Sequence, residues 1–461
     1  MGKLSRDAIY RVHNWLGDIV SSPGVVIEPE NVQEIISIMQ DTAKYPAPVR
    51  AVGSNHSTTQ CGVADSGTLV VMRKMKRILN IGSDTVTVEA GALYIDVAQE
   101  LKKHNLQFYV NAEIGTLTVG SAASCNTKKS CMAGEYGEMC SYAIALKMVT
   151  PSGELVETTE QQPDLLQAMR SSYGLFGIIY EVTFRIRPLL SMTAYHKTYT
   201  IEQFQKQLPA LIAAGEAMMM FVGVFTNSVT IEFRRYREDE NPRKASSWQW
   251  RLRNLIWKTL APYTSYFVTR YVPLKGLRYF ILDAFNRLGA LVAVLFIHGK
   301  NTLAPDQMIR FDENPGHHKL TFSIWGFPVA DYPRVQRDYI AFCHEYYRST
   351  GYRCNLLDLA YLVSEDTSSL FSYSPGGAVI TIDPVSTGDA GWDEFLVAYN
   401  DFCSRNGGIP LFNQTRMLTR AQVVKAFGER LNTFETYRAR FDPTERMLND
   451  YFRQLLNRSS L

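Results

Sequence analysis

The densest run of residues able to do chemistry is PVRAVGSNHS, residues 48–57. A β-branched strand breaks there at Gly53, and a lone histidine, His56, follows between Asn55 and Ser57. A neutral imidazole nitrogen is a competent nucleophile and equally an ordinary hydrogen-bonding partner for a turn. The residues of this stretch alone leave both roles open. Three further stretches follow in order: VTVEAGALYIDVAQELKKHNLQ (86–107), the small-residue loop EIGTLTVGSAASCNTKKSCMAGEYG (113–137) and GLFGIIYEVTFRIRP (174–188). Glycine and small side chains let main-chain N–H groups approach an anion closely, and successive N–H groups form an anion nest. Such loops, brought together by strands, suit a pyrophosphate without any single phosphate-binding motif.

Other chemistries lack their signatures. No GxGxxG opens a helix after a strand, and GxxxxGK[ST], HExxH and GxSxG are absent, so no Rossmann, P-loop or zincin site is expected. His317 and His318 are adjacent, cannot converge on one ion from a strand, and give no metal site. A net charge of +3 provides no surface for nucleic acid. Seven cysteines, an odd number without a CxxC pair, fit a reducing compartment. The start, MGKLSRDAIYRVHNWLGDIV, has no apolar h-region and no small-residue cleavage site. The longest apolar run, Leu288 to Ile297, is about half of what a bilayer crossing needs. The expectation is a cytoplasmic protein, with a membrane hold from the side as the one alternative.

The elements that must position these loops read as α+β. VVIEP (25–29) is a strand, Asn31 opens a helix with apolar residues at helical spacing, and PVRAVG, TLVVM and TVTVEAG are further strands before the helix IDVAQELKKHN. A second region opens with the alternating strand SVTIEFRRYRE and the charged break EDENPRKASS (238–247), and continues through KLTFSIWGFP and AVITIDPVST with helices around 332–349 and 392–405. At 461 residues one core is too few. The expected division is 1–190 for the loops, 191–417 for a cap domain with an antiparallel sheet, and 418–461 for Arg-rich helices returning to the first domain. Within the cap, residues 248–300 interleave Arg and Lys with Trp, Tyr and Phe around the single acid Asp283. That pattern describes an interfacial amphipathic helix, a helical cap over an apolar channel, or a buried insertion with snorkelling cations.

The order of the four stretches resembles the FAD-binding half of the vanillyl-alcohol oxidase (p-cresol methylhydroxylase-type) flavoproteins. Within them it is similar to the branch of alditol, aldonolactone and decaprenylphosphoryl-ribose oxidases. The resemblance covers roughly residues 20–190, and the closing part through IPLFNQT and FDPTERMLNDYF. It implies a two-part FAD-binding domain, with Val52, Gly53, Ser54, Asn55, His56 and Ser57 beside the flavin and diphosphate, and a covalent bond from His56 to the flavin. It further implies that Gly115, Thr116, Thr118, Gly120 and Ser121 line the flavin and diphosphate, and that Gly134, Gly137, Gly177 and Ile179 complete the adenosine side. Asn55 stands where the family has the second glycine of its GxGHS turn.

On the substrate side the resemblance fails. The family's Glu-x-Arg strand falls on Leu359 and Tyr361, and the Gly-Lys of its His-Trp-Gly-Lys turn falls on Asn413 and Gln414. The ion-paired polyol site is therefore not expected. What remains is Tyr361, Phe371, Tyr373, Phe412, Asn413, Gln414 and Arg416. Of these Tyr361, Tyr373, Gln414 and Arg416 are the catalytic candidates, either tyrosine acting as proton acceptor if Arg416 lowers its pKa. The resulting expectation is an FAD-dependent oxidoreductase acting on an alcohol carbon of a bulky or lipid-like small molecule, with oxygen or an electron carrier as acceptor. The alternatives are oxidative cyclisation or C=C reduction of a terpenoid- or sterol-like substrate, and a non-catalytic, membrane-docked FAD module.

Overall fold

The computed structural model describes residues 10–237, 248–313, 316–317 and 319–456. The break EDENPRKASS (238–247) and His318 lie outside the described residues. The fold is α+β, in agreement with the pattern of elements in the sequence.

The chain first builds a small parallel sheet from β1 (Val25–Ile27), β2 (Val49–Val52) and β3 (Thr68–Val71), with β3 in the middle. Helix α1 (Val32–Gln40) lies between β1 and β2. Asn31 caps it by accepting from the Glu34 N–H, and Ile35, Ile38 and Met39 are its buried stripe. Because β2 ends at Val52, the turn Gly53–Ser57 emerges at the carboxyl end of a parallel strand, where open α/β sheets place ligands.

A second, antiparallel sheet follows: β4 (Ile78–Ile81), β5 (Thr85–Glu89), β6 (Leu106–Phe108), β7 (Ala143–Val149), β8 (Leu155–Thr159) and β9 (Ile178–Pro188). Their order is β8–β7–β9–β5–β4, with β6 pairing the far end of β9. In β9 the period of two buries Val182, Phe184 and Ile186 against α2 (Tyr94–Lys103). Between β6 and β7 the small-residue loop contains the short helix α3 (Val119–Ser124), and α4 (Pro163–Met169) precedes β9.

The cap is an eight-stranded antiparallel sheet. Its strands are β10 (Ser191–Tyr199), β11 (Ala217–Gly223), β12 (Ser228–Arg237), β13 (Gly299–Leu303), β14 (Trp325–Pro328), β15 (Asp358–Val363), β16 (Val379–Ile382) and β17 (Ile409–Pro410), in the order β13–β10–β12–β11–β15–β16–β14–β17. One face packs Met218, Met220, Val229 and Ile231 under α5 (Ile201–Ala213), α9 (Tyr332–Thr350) and α10 (Trp392–Arg405). The opposite face, carrying Met219, Phe221, Leu359 and Tyr361, looks onto the small-residue loops. Between β12 and β13 run α6 (Trp248–Leu255), a one-turn π-helical stretch Ile256–Leu260, α7 (Ala261–Tyr271) and α8 (Lys275–Phe296). Finally α11 (Arg420–Phe427), α12 (Glu429–Phe441) and α13 (Asp450–Leu456) place Phe427, Phe434 and Phe452 in one core with Leu146 and Val182 of the second sheet and Phe176 just before β9.

Candidate active site

A cavity of about 310 Å³ runs between the small-residue loops and the inner face of the cap sheet. Val52, Gly53, Ser54, Asn55, His56 and Ser57 line one wall, and Thr118, Gly120, Ser121, Gly177 and Ile179 line it with them. Gly53 is required by close approach. A Cβ there would lie 2.2 Å from Thr118 Oγ1, so the two loops touch only because the side chain is missing. Ser54 Oγ donates to the Thr116 carbonyl at 2.5 Å. Asn55 adopts φ +54°, the left-handed conformation that asparagine tolerates best after glycine. Its Nδ2 donates to the His13 carbonyl at 3.0 Å. Asn55 thus holds a left-handed conformation at the position where the family has glycine.

His56 sits half-buried in this wall, its ring 5.4 Å from that of Trp15. Nε2 lies 2.8 Å from Thr116 Oγ1. Burial, and then the charge of Arg73, push the imidazole down to about 4, so it is neutral at physiological pH.

Arg50 was not singled out by its sequence context. It is 2% exposed, lines the cavity, and gives its donors to main-chain carbonyls: Tyr173 at 2.6 Å, Met447 at 2.9 Å, Cys61 at 3.0 Å and Gly174 at 3.3 Å. Among the described residues no carboxylate pairs with it. A buried guanidinium without a counter-ion is expensive unless an anion arrives, and the cavity wall is where that anion would come from.

The opposite end is charged, which the sequence did not reveal. Glu113, Lys128, Arg253, Tyr361 and Asp383 line it beside Asn413 and Gln414. Glu113 Oε1 is 3.2 Å from Lys129 Nζ, 2.8 Å from Arg234 and 3.5 Å from Arg253. Glu232 pairs with Arg234, with Arg253 at 2.7 Å and with His196 at 3.1 Å, all essentially out of solvent. A signal for this existed in β12: Val229, Ile231 and Phe233 alternate with Thr230, Glu232 and Arg234, and both faces are buried. A polar face of a strand that is buried on both sides must meet charged partners elsewhere.

The catalytic candidates are not gathered together. Tyr361 lies on the cavity wall under Lys128 Nζ, 4.0 Å from the ring centroid, and Gln414 lines the wall as well. Tyr373 is buried outside the lining, its ring against Gly326 and its hydroxyl without a hydrogen-bond partner. Arg416 is outside it too, bound to Asp18 and, at 3.1 Å, to Asp393. The idea of a tyrosine base with a lowered pKa is therefore corrected. Burial raises both tyrosine hydroxyls well above their ordinary value, and Arg416 is committed elsewhere. Of the remaining expected cofactor residues, Gly115 packs on Ile95 and Met308, Thr116 acts through Ser54 and His56, Gly137 is buried against Val363, and Gly134 is exposed. Phe371 and Phe412 are core residues. His317 stacks on Tyr266, 4.6 Å between ring centres.

Residues 23–159 match the sequence profile of the family described as FAD binding domain. The chain carries an FAD-binding domain of the PCMH type, and its cavity fits that cofactor: loops in contact through Gly53, and a buried arginine, held by main-chain carbonyls, whose positive charge lines the same space. The chain is 26% identical over 238 residues to L-gulono-1,4-lactone dehydrogenase of Mycobacterium tuberculosis, 51% of this chain and 54% of the relative. Its identity to L-gulonolactone oxidase of Mus musculus is 26% over 240 residues, again 51% and 54%. The match thus spans about half the length of these curated relatives. Over nearly the whole chain the fold is that of a solved cholesterol oxidase variant from Brevibacterium sterolicum, with a TM-score of 0.75 at 16% identity and 97% of each chain covered.

Proposed function

We propose that the chain is an FAD-dependent oxidoreductase, an oxidase or dehydrogenase, that oxidises an alcohol carbon of a bulky, lipid-like small molecule at a membrane surface. The observation that carries this reading is the cavity itself. One wall is built from the FAD-binding loops, and beside the charged group the lining is apolar, with Phe221, Phe322, Leu357 and Leu359 and, from the helical insertion, Trp257 and Pro262. An apolar pocket with a few convergent polar groups is the ordinary form of a small-molecule site. Bound FAD would supply the acceptor for two electrons and a hydrogen from the substrate carbon. The chain's own residues position, exclude water and handle the proton. The neutral imidazole of His56, steadied by Thr116, supports a covalent tie to the flavin.

The membrane part rests on exposure. Twelve of the nineteen large apolar side chains exposed among the described residues fall between Trp248 and Phe296, including Phe280 at 70% and Tyr271 at 68%. Exposed patches of this kind mark interaction sites. Around them Arg251, Arg270, Lys275 and Arg287 are also exposed. The purified protein is expected to be yellow, and its colour to survive acid precipitation. His56→Ala should release the flavin into the supernatant, and colour that precipitates with that variant would refute the bond. Rapid mixing with bulky alcohols, against alkenes plus a reductant, separates alcohol oxidation from C=C reduction by which of the two changes the flavin spectrum.

A further inference from the structure

The charged end of the cavity holds one carboxylate whose hydrogen-bonding is half used. Asp383 follows β16 and is locked to Leu359 of β15 by main-chain bonds in both directions, 2.9 Å each. Its side chain is 2% exposed, and Oδ2 accepts from Lys128 Nζ at 2.5 Å. Oδ1 is buried and accepts no hydrogen bond. Lys128 has no further reach, since it also donates to Thr381 Oγ1 at 3.2 Å and rests on the Tyr361 ring. A buried acceptor left without a donor costs about 1–3 kcal/mol. A donor arriving in the cavity removes that penalty, and a hydroxyl group is such a donor.

The other acid on this wall is built differently. Burial would raise Glu113, but the cations of Lys129, Arg234 and Arg253 converge on it and hold it down to about 2. It is neither short of donors nor able to keep a proton. For Asp383 burial prevails over Lys128 and the Thr381 hydroxyl and holds the carboxyl up to about 6, close to the range in which a general base works at neutral pH.

We infer that Asp383 Oδ1 binds the substrate hydroxyl and takes its proton, making Asp383 the catalytic base of the cavity. The inference rests on the reading of the chain as an FAD-dependent alcohol oxidoreductase. In the step, the O–H bond breaks and its proton goes to Asp383 Oδ1. The adjacent C–H bond breaks, its hydrogen and electron pair passing to the oxidised flavin held by the loops. The C–O bond gains its second pair, and the product is a carbonyl compound. Lys128 acts as a positioning residue, fixing the carboxylate of this cavity-lining residue through Oδ2 and leaving Oδ1 for the substrate.

The test uses the flavin-loaded full chain with dodecanol and cholesterol as probes, each compared with its own methyl ether. Dissociation constants are read from the shift of the flavin spectrum, and bleaching rates from rapid mixing. Wild type should bind at least one alcohol about tenfold more tightly than its ether, the size of one hydrogen bond to a charged acceptor. In Asp383→Asn the amide oxygen turns to Lys128 and the amide nitrogen faces the cavity. That variant should lose the preference and bleach at least about 100-fold more slowly with flavin content unchanged, while its Tm falls because Lys128 is left without its counter-ion. The pair Lys128→Met with Asp383→Leu, which leaves no unpaired charge, should lose the preference as well. A flavin-loaded wild type blind to the hydroxyl, whether it binds both members of each pair equally or neither, overturns the inference while the oxidoreductase reading stands. So does a preference that survives both variants. A chain that holds no flavin overturns the oxidoreductase reading, and this inference with it.

Discussion

At Asn55 a single dihedral explains why the cofactor loop was legible in the sequence although its motif is imperfect. The family's turn has glycine there, and asparagine is the side chain that pays least for a φ of +54°. A β-branched residue would lose about 1–2 kcal/mol at such a φ before any contact is counted. Asn55→Gly should therefore retain flavin and Tm, whereas Asn55→Val should lower Tm and shed flavin; equal behaviour of the two would mean the turn does not depend on this conformation. Gly53→Ala should be more damaging, because the new methyl meets Thr118 Oγ1 at 2.2 Å. Its flavin absorbance per protein should fall below that of Asn55→Val. The charged lining of the cavity was less legible for a physical reason. Glu113, Lys128, Arg253 and Asp383 come from a loop, a second part of that loop, a helix and a strand end. No spacing along the chain encodes their convergence, and the aligned positions 359 and 361 that the sequence offered carry no charge at all.

The helical insertion shows what an element adds to a residue list. In the sequence its longest uncharged apolar run begins only at Leu288, because Arg278, Asp283 and Arg287 interrupt the residues before it. In the structure α8 is 22 residues long and apolar enough by length and composition to cross a membrane. Helical geometry resolves the conflict. Tyr279, Leu282 and Ala293 form a buried stripe, and Asp283, beside it, pairs with Arg353 at 2.6 Å. On the other side Leu277, Phe280, Ala284, Leu288, Leu291 and Leu295 recur at three- and four-residue intervals and are exposed. In the docking proposed above, a helix held by one stripe and bare on the other lies along the membrane surface. Residues 248–296 carry seven Arg and Lys against one acid, so the surface should be anionic, at about 1 kcal/mol per basic residue close to it. In flotation assays the chain should rise with phosphatidylserine-containing vesicles more than with phosphatidylcholine alone, and the difference should shrink with salt. Phe280→Glu with Leu291→Glu should abolish flotation and leave the flavin spectrum unchanged. Flotation that is indifferent to both charge and these residues would sink the docking reading.

At the scale of the whole molecule, the buried ion cluster joins parts far apart in the chain. Glu113 belongs to the loop before α3, Glu232 and Arg234 to the central cap strand β12, and Arg253 to α6, the first helix of the insertion. The cluster thus fixes the insertion and the cap sheet over the cavity. Removing one partner strands the others, at about 3–5 kcal/mol for a buried ionic group. Its pH dependence has a definite sign. The folded carboxyl of Glu113 is held near 2, below its ordinary value of 4.5. The stability it contributes is therefore fully present above about pH 4.5 and is lost as pH falls toward 2. Glu113→Gln removes the titrating group and keeps the shape. The Tm gap between wild type and this variant should be wide and flat from pH 7 to pH 5, then narrow steadily as the wild-type carboxylate approaches its folded pKa. A gap that stays constant down to the lowest pH at which both forms fold would show that Glu113 holds these three parts together through shape and neutral hydrogen bonds, and not through its charge.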